Sequence, residues 1–261
     1  DIDESAARLA NTIQSFANEH PRRPFFLIAH SQGSLVARRA LQFLGKEQAR
    51  RIVNRLILLG PASYGTFAAA FAVAGNHSSI EALARYGLRW PVDTPRVLQS
   101  MSGLYQMIPW KKGTTAMELE ALASPGFWKS GVDKKRLAKF FKWGESLDTA
   151  FFNDRTSIIL GDKPQTTSAV EFQDKILVAT EAAHGDGTVT DDCARIVDVT
   201  DVARAEGADH MTLPLNPRVM QTVWRLINAN LSSPALHAAA AKLKHGVALL
   251  PEPVSLFALA G

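Results

Sequence analysis

A parallel α/β fold is what this chain predicts, and three observations carry the prediction. Residues 25–29 (Phe-Phe-Leu-Ile-Ala) form an apolar run of buried-strand length. After Gly33 the apolar residues Leu35, Val36, Ala40, Leu41 and Leu44 recur at helical spacing, so only residues 30–33 connect the two. A second apolar run, Val53–Leu59, follows that helix, and strands alternating with helices in this way join in parallel through crossovers. After a long insertion, short apolar runs resume at residues 157–160, 175–180 and 194–199 and read as the remaining strands.

The elements follow in order. Asp1 or Asp3 can cap a first helix whose apolar face is Ile2, Ala6, Leu9, Ala10, Ile13, Phe16 and Ala17, closing near His20 and Pro21. That helix feeds the strand at residues 25–29. The strand turns at Ser31, which is flanked two residues away by Ala29 and Gly33. A turn this sharp strains the serine backbone and brings its neighbours together, so positions two before and two after it must be small. Gly45 stops the next helix, and Gly60-Pro61 ends the strand Val53–Leu59.

From residue 62 to 155 the chain changes to Gly- and Pro-punctuated helical pieces crowded with aromatic groups: Phe67, Phe71, Tyr86, Trp90, Tyr105, Trp110, Phe127, Trp128, Phe140, Phe141, Trp143, Phe151 and Phe152. An insertion at the carboxyl edge of a sheet is placed to cover a site as a lid with an apolar acyl pocket, and packing of its own small core accounts for the same residues. Lys129, Lys134, Lys135, Arg136, Lys139 and Lys142 read first as a solvated helix face and second as a lipid-surface patch. Near the end Asn216 caps a last helix, with Pro217 in its first turn and Val219, Met220, Val223, Trp224, Leu226 and Ile227 as its buried stripe. The expected organisation is therefore core at residues 1–61, helical lid at 62–155, the rest of the core at 156–231, and a tail at 232–261 whose role is not readable.

Composition bounds the function. The chain has 261 residues, 46% hydrophobic and 21% charged, enough apolar material for one large core with an insertion. Its single cysteine, Cys193, cannot form an internal disulfide, and metal sites built on thiolates are excluded. No run of eighteen or more apolar residues appears, so no segment is long enough to span a bilayer, which reads as a soluble chain of undetermined compartment. A net charge of +4 from dispersed basic residues, with no recognised motif, falls short of a nucleic-acid signature.

The turn at Ser31 holds a hydroxyl at the carboxyl end of a strand, where the backbone N–H of Gln32 and the positive end of the following helix face any oxyanion formed there. Ala29-His30-Ser31-Gln32-Gly33 is the nucleophile-elbow pattern G-x-S-x-G with alanine in the first small position; a plain strand-to-helix turn is the competing reading. Serine needs a base, and the base an orienting acid, in the chain order serine, acid, histidine. Downstream of Ser31 stand His77, His184, His210, His237 and His245. His210 lies between the last expected strand and the last helix, where it can reach across the strand ends. For the acid, Asp186 sits between Gly185 and Gly187, and Asp162 directly follows a strand. A turn-forming Asp-Gly explains Asp186 too, and on spacing alone the two acids are equal choices. A metal-dependent hydrolase is a distant third reading, as no His/Asp cluster has ligand spacing, and no cofactor is implied.

The chain resembles the lecithin:cholesterol acyltransferase-like lipase group of the α/β-hydrolase superfamily over most of residues 1–231. The matching segments are residues 29–33, residues 102–109 (Ser-Gly-Leu-Tyr-Gln-Met-Ile-Pro), Gly185-Asp186-Gly187-Thr188-Val189, and the His210 segment leading into Asn216-Pro217. Gly103 stands where the group favours serine. The resemblance implies an α/β-hydrolase fold, Asp186 as the acid, and cleavage or transfer of the acyl chains of glycerolipids and related esters. It also implies strands before the elbow strand and a loop after the third that supplies a second oxyanion N–H. Only residues 1–24 precede the elbow strand here, so the expectation is the carboxyl-terminal portion of a longer protein. The expected activity is a serine ester hydrolase. An acyltransferase with the same triad and a non-catalytic lipid-binding or interaction module are the alternatives. A lipid ester is the expected partner, with transient lipid-surface contact through the lid.

Overall fold

The computed structural model describes residues 1–21, 23, 25–75, 94–110, 122–124, 126–128, 132–174 and 176–230. Helix α1 (Ile2–Glu19) begins at Asp1, whose side chain accepts the N–H of Glu4 at 3.0 Å, and it buries Ile2, Ala6, Ala10 and Ile13. Strand β1 (Phe25–His30) runs directly into α2 (Gly33–Leu44). Gly45 ends α2, and a short α3 (Lys46–Ile52), which no apolar stripe announces, leads into β2 (Val53–Leu59).

The insertion contributes α4 (Phe67–Ala74), α5 (Thr94–Ser100), α6 (Ser102–Tyr105) and α7 (Lys134–Glu145). Its buried groups Phe67, Tyr105, Ile108, Trp110, Trp128, Leu137, Phe140 and Trp143 do not form a separate core. They join Ile2 and Ala6 of α1 and Leu35 and Ala40 of α2 in one apolar cluster. Trp143 Nε1–H donates to Asp3 Oδ1 at 2.7 Å, and the Ile2 N–H to Gln106 Oε1 at 2.8 Å, so polar contacts fasten the same seam. On α7, Lys134, Lys135, Lys139 and Lys142 are exposed; Arg136 instead donates to the Gln99 and Ser100 carbonyls. Tyr86, Trp90, Lys129 and His77, and the tail with His237 and His245, lie outside the described residues.

A 3₁₀ turn (Ala150–Arg155) leads into β3 (Thr156–Leu160). Next come β4 (Lys163–Gln173), β5 (Ile176–Gly185), α8 (Asp191–Ala194), β6 (Asp201–Arg204), a 3₁₀ turn (Leu213–Leu215) and α9 (Pro217–Asn230). The main sheet has the order β1-β2-β3-β6, with every pairing parallel. Side chains alternate across it: Leu56, Leu58, Ile158 and Leu160 pack with Ala37, Leu41 and Cys193, while Ile57, Leu59 and Ile159 pack under Val219 and Val223 of α9. Among the described residues β1 is an edge strand, and Ile28 on it is 46% exposed. Burial pushes the Cys193 thiol up to about 11, which keeps it protonated in the core. Among the described residues no helix is long and apolar enough to cross a membrane.

Two expected strands differ. The run at 175–180 lies in a strand, apart from residue 175, which is outside the described set. That strand, β5, pairs antiparallel with β4 as a separate two-stranded ribbon and not with the main sheet. Strand β4 opens with Lys-Pro-Gln-Thr-Thr-Ser and then alternates, so no continuous apolar run marks it. Residues 194–199 are not a strand. Ala194 ends α8, and Ile196 and Val199 are buried from a loop, so the apolar run there reports burial under the sheet; the strand itself, β6, starts at Asp201. Asn216 caps α9, accepting the N–H of Arg218 at 2.9 Å and of Val219 at 3.4 Å.

Candidate active site

Ser31 stands at the carboxyl end of β1 with φ +53°, a left-handed conformation that costs a non-glycine residue roughly 1–2 kcal/mol. The surroundings hold it there. Its N–H donates to the Leu59 carbonyl of β2 at 3.1 Å, and its carbonyl accepts both the N–H and the hydroxyl of Ser34 in the first turn of α2. The turn is roomier than its pattern demands: a Cβ on Gly33 would lie 3.9 Å from that of Ala29, an ordinary contact. Alanine in the first small position is accommodated for that reason.

Three chain-distant side chains meet at this end of the sheet. His210 Nε2 is 2.8 Å from Ser31 Oγ, and His210 Nδ1 is 2.7 Å from Asp186 Oδ2. A carboxylate only accepts, so Nδ1 carries the proton and Nε2 is left to accept the serine O–H. Asp186 and His210 are 2% and 5% exposed, which removes competing water from their contact. The other carboxylate oxygen, Oδ1, accepts the N–H groups of Thr188 at 3.0 Å and Val189 at 2.7 Å, so the Gly-flanked loop grips one oxygen and presents the other. The His210 N–H donates to the Asp186 carbonyl at 2.8 Å, which ties the His210 loop to the Asp186 loop by main chain as well.

Asp162 is engaged elsewhere. It accepts the Gly207 N–H at 3.1 Å and lies 3.3 Å from His184 Nε2, while His184 Nδ1 is 3.0 Å from Arg204. Arg204 in turn pairs with Asp191 and donates to the Gly161 carbonyl. Gln32 has helical dihedrals at the head of α2, and no acceptor for its N–H is found among the described residues. Its side-chain amide donates to the Gly103 carbonyl of α6 at 3.3 Å. A Cβ on Gly103 would come within 2.9 Å of that amide nitrogen, so a serine there requires the Gln32 side chain to move. Thr66, which caps α4, donates its hydroxyl to the Thr188 carbonyl of the Asp186 loop. The insertion is thus bonded to both the Ser31 turn and the Asp186 loop.

Other residues that shape the site escaped sequence reading. A Cβ on Gly60 (φ +47°) would fall 2.6 Å from Asp186 Oδ2 and 3.2 Å from His210 Nδ1, and one on Gly161 would fall 2.5 Å from Asp186 Cβ. Each glycine directly follows a buried strand, so in sequence it is indistinguishable from an ordinary strand stop. His30 is the third. Its Nε2–H donates to the His210 carbonyl at 2.8 Å and its ring centroid is 4.7 Å from that of His210. Burial first, and then the neighbouring His210, hold the His30 imidazole below its ordinary range, against an opposing pull from its hydrogen bond and from Asp186. Among the described residues no group of three His, Cys, Asp or Glu side chains could hold a metal ion.

A parallel sheet flanked by helices, with a strained serine turn at a strand end, defines an α/β-hydrolase fold. In agreement, residues 1–79 match the family described as an alpha/beta hydrolase of unknown function, DUF900. A comparison with curated proteins finds no match. Among solved structures, the chain is similar to the mature form of the Bacillus licheniformis lipase BlEst2, with 14% identity, 82% of this chain and 72% of that chain covered, and a TM-score of 0.45. It is also similar to the Legionella pneumophila phospholipase PlaB, with 12% identity, 87% and 48% covered, and a TM-score of 0.38. The chain spans about half the length of that phospholipase.

Proposed function

We propose that the chain carries a serine hydrolase site for carboxylic esters, those of lipids or other acyl groups, with Ser31 as nucleophile, His210 as general base and acid, and Asp186 as the orienting acid. The single observation behind this is the unbroken hydrogen-bond chain from Ser31 Oγ through the His210 ring to a buried Asp186. His210 Nε2 takes the serine proton as Oγ attacks the ester carbonyl. Asp186 stabilises the imidazolium that results. The tetrahedral oxyanion meets the Gln32 N–H and the positive end of α2. The alcohol leaves with the proton from His210, and water repeats the cycle on the acyl-enzyme to release the acid.

An alcohol that outcompetes water at the acyl-enzyme makes the same residues an acyltransferase, as the resemblance to the lecithin:cholesterol acyltransferase-like group implies. In this reading residues 62–155 act as a lid bonded to the elbow through Gln32 and Gly103, with the exposed lysines of α7 available to a lipid surface. A second reading, a lipid-binding or interaction module without turnover, is favoured by the Gln32 N–H standing as the one oxyanion donor assigned among the described residues. Loss of one such donor costs about 10²- to 10³-fold in turnover. Hydrolysis of a short-chain p-nitrophenyl ester separates the two. Saturable release of p-nitrophenol above the uncatalysed rate is expected, whereas release at background from folded protein would leave the binding module.

A further inference from the structure

His30 has no place in the chemistry just described, yet its ring bonds to the main chain of His210 and packs beside the His210 ring. It precedes Ser31 in the chain and so moves with the elbow. Its Nε2 meets a carbonyl, which only accepts, so the proton sits on Nε2 and the ring donates to the His210 main chain at 2.8 Å. The other main-chain hydrogen bonds of the base loop run to the Asp186 loop and to Asp162 after β3. The His210 N–H bonds to the Asp186 carbonyl, the Ala208 carbonyl accepts the Asp162 N–H, and the Gly207 N–H bonds to the Asp162 carboxylate. Those bonds fix His210 relative to Asp186. None of them reaches the elbow, which the base loop otherwise meets through the Ser31 hydroxyl itself and through the packing of Leu213 on β2.

We infer that His30 is a positioning residue that fixes the base to the nucleophile, its Nε2–H holding the His210 carbonyl while its ring packs beside the His210 ring. The inference rests on the serine hydrolase reading above. With the tether in place, the strand that carries Ser31 also carries the group that locates the base, so elbow and base loop shift together. Proton transfer from Ser31 needs the short Oγ to Nε2 contact, and a displacement of about 1 Å at such a contact costs about 10²-fold in rate. A neutral His30 also suits the cycle. His210 becomes a cation during acyl transfer, and a second cation with its ring centre 4.7 Å away would oppose it.

Three replacements test this. Leucine removes the donor. Glutamine places an amide N–H2 about where histidine Nε2 stands, and asparagine places one about where Nδ1 stands, too short to reach the carbonyl. With a p-nitrophenyl ester, His30→Leu and His30→Asn are expected to lower kcat roughly 10- to 100-fold with KM within about twofold, and His30→Gln to recover to within about threefold of the parent. A readout that needs no turnover is the low-field proton resonance of His210 Nδ1–H. It should be present in the parent and in His30→Gln, and broadened or lost through solvent exchange in the other two. Circular dichroism and thermal unfolding identify variants that have kept their fold. A folded His30→Leu protein with parental kcat and an unchanged resonance, or His30→Gln as impaired as leucine, would overturn the inference. A parent without ester turnover would count against the hydrolase reading alone, and the resonance pattern would then decide the role of His30.

Discussion

Asp186→Asn is expected to lower kcat about 10⁴-fold with the fold retained, a loss of about 5.5 kcal/mol of transition-state stabilisation. The replacement is isosteric, and the oxygen that accepts the Thr188 and Val189 N–H groups survives, so the loop keeps its shape. What changes is the atom facing His210 Nδ1 at 2.7 Å. An amide N–H2 there donates, so the imidazole must carry its proton on Nε2 instead. Nε2 then presents a donor to Ser31 Oγ and can no longer take the serine proton. Comparison of kcat for the p-nitrophenyl ester with thermal unfolding checks this. Expected is a drop of about four decades alongside a stability loss of about 1–3 kcal/mol from the weakened buried contact. A variant that keeps a tenth of parental turnover would mean that Asp186 does not set the tautomer.

Gly60→Ala is expected to lower kcat by about 10²-fold or more and to destabilise the chain by about 2–3 kcal/mol, although glycine has no side chain to offer the chemistry. Two effects add. At φ +47° an alanine carries a left-handed penalty of about 1–2 kcal/mol. Its Cβ would also lie 2.6 Å from Asp186 Oδ2, 2.8 Å from Leu213 Cδ1 and 3.2 Å from His210 Nδ1. Oδ2 and Nδ1 are the two atoms of the acid–base hydrogen bond, so relief of the clash opens that bond. Urea unfolding and ester kinetics on one preparation measure both effects. Parental turnover with reduced stability would show that the clash is relieved away from the Asp186–His210 pair.

The legible part of the fold is the part that continuous apolar runs mark. Val53–Leu59 packs into apolar clusters on both faces of the sheet, so a continuous apolar run marks it; residues 25–29 carry a like run although only Ala29 is buried and Ile28 is exposed, and the serine turn between strand and helix follows from its small neighbours. The β4–β5 ribbon packs on one side only, and β4 opens with six mostly polar residues, so no such run marks it. Residues 194–199 mislead for the opposite reason: Ile196 and Val199 are buried without being a strand. Within the site, spacing along the chain held Asp186 and Asp162 level, because what separates them is which carboxylate stands beside a ring more than twenty residues away. Gly60 and Gly161 each directly follow an apolar run, and their closeness to Asp186 exists only once β2 and β3 lie side by side. His30 carried no signal at all, since its partner is the main-chain carbonyl of a residue 180 positions away.

The central claim is that the Ser31 hydroxyl is the activated nucleophile, and covalent capture tests it most directly. The chain is treated with a fluorophosphonate and digested, and the adduct is located by peptide mass spectrometry. One phosphonyl group per chain on the peptide that contains Ser31, absent from Ser31→Ala, is the result this account predicts. No adduct on folded protein, or the same adduct in Ser31→Ala, would contradict it.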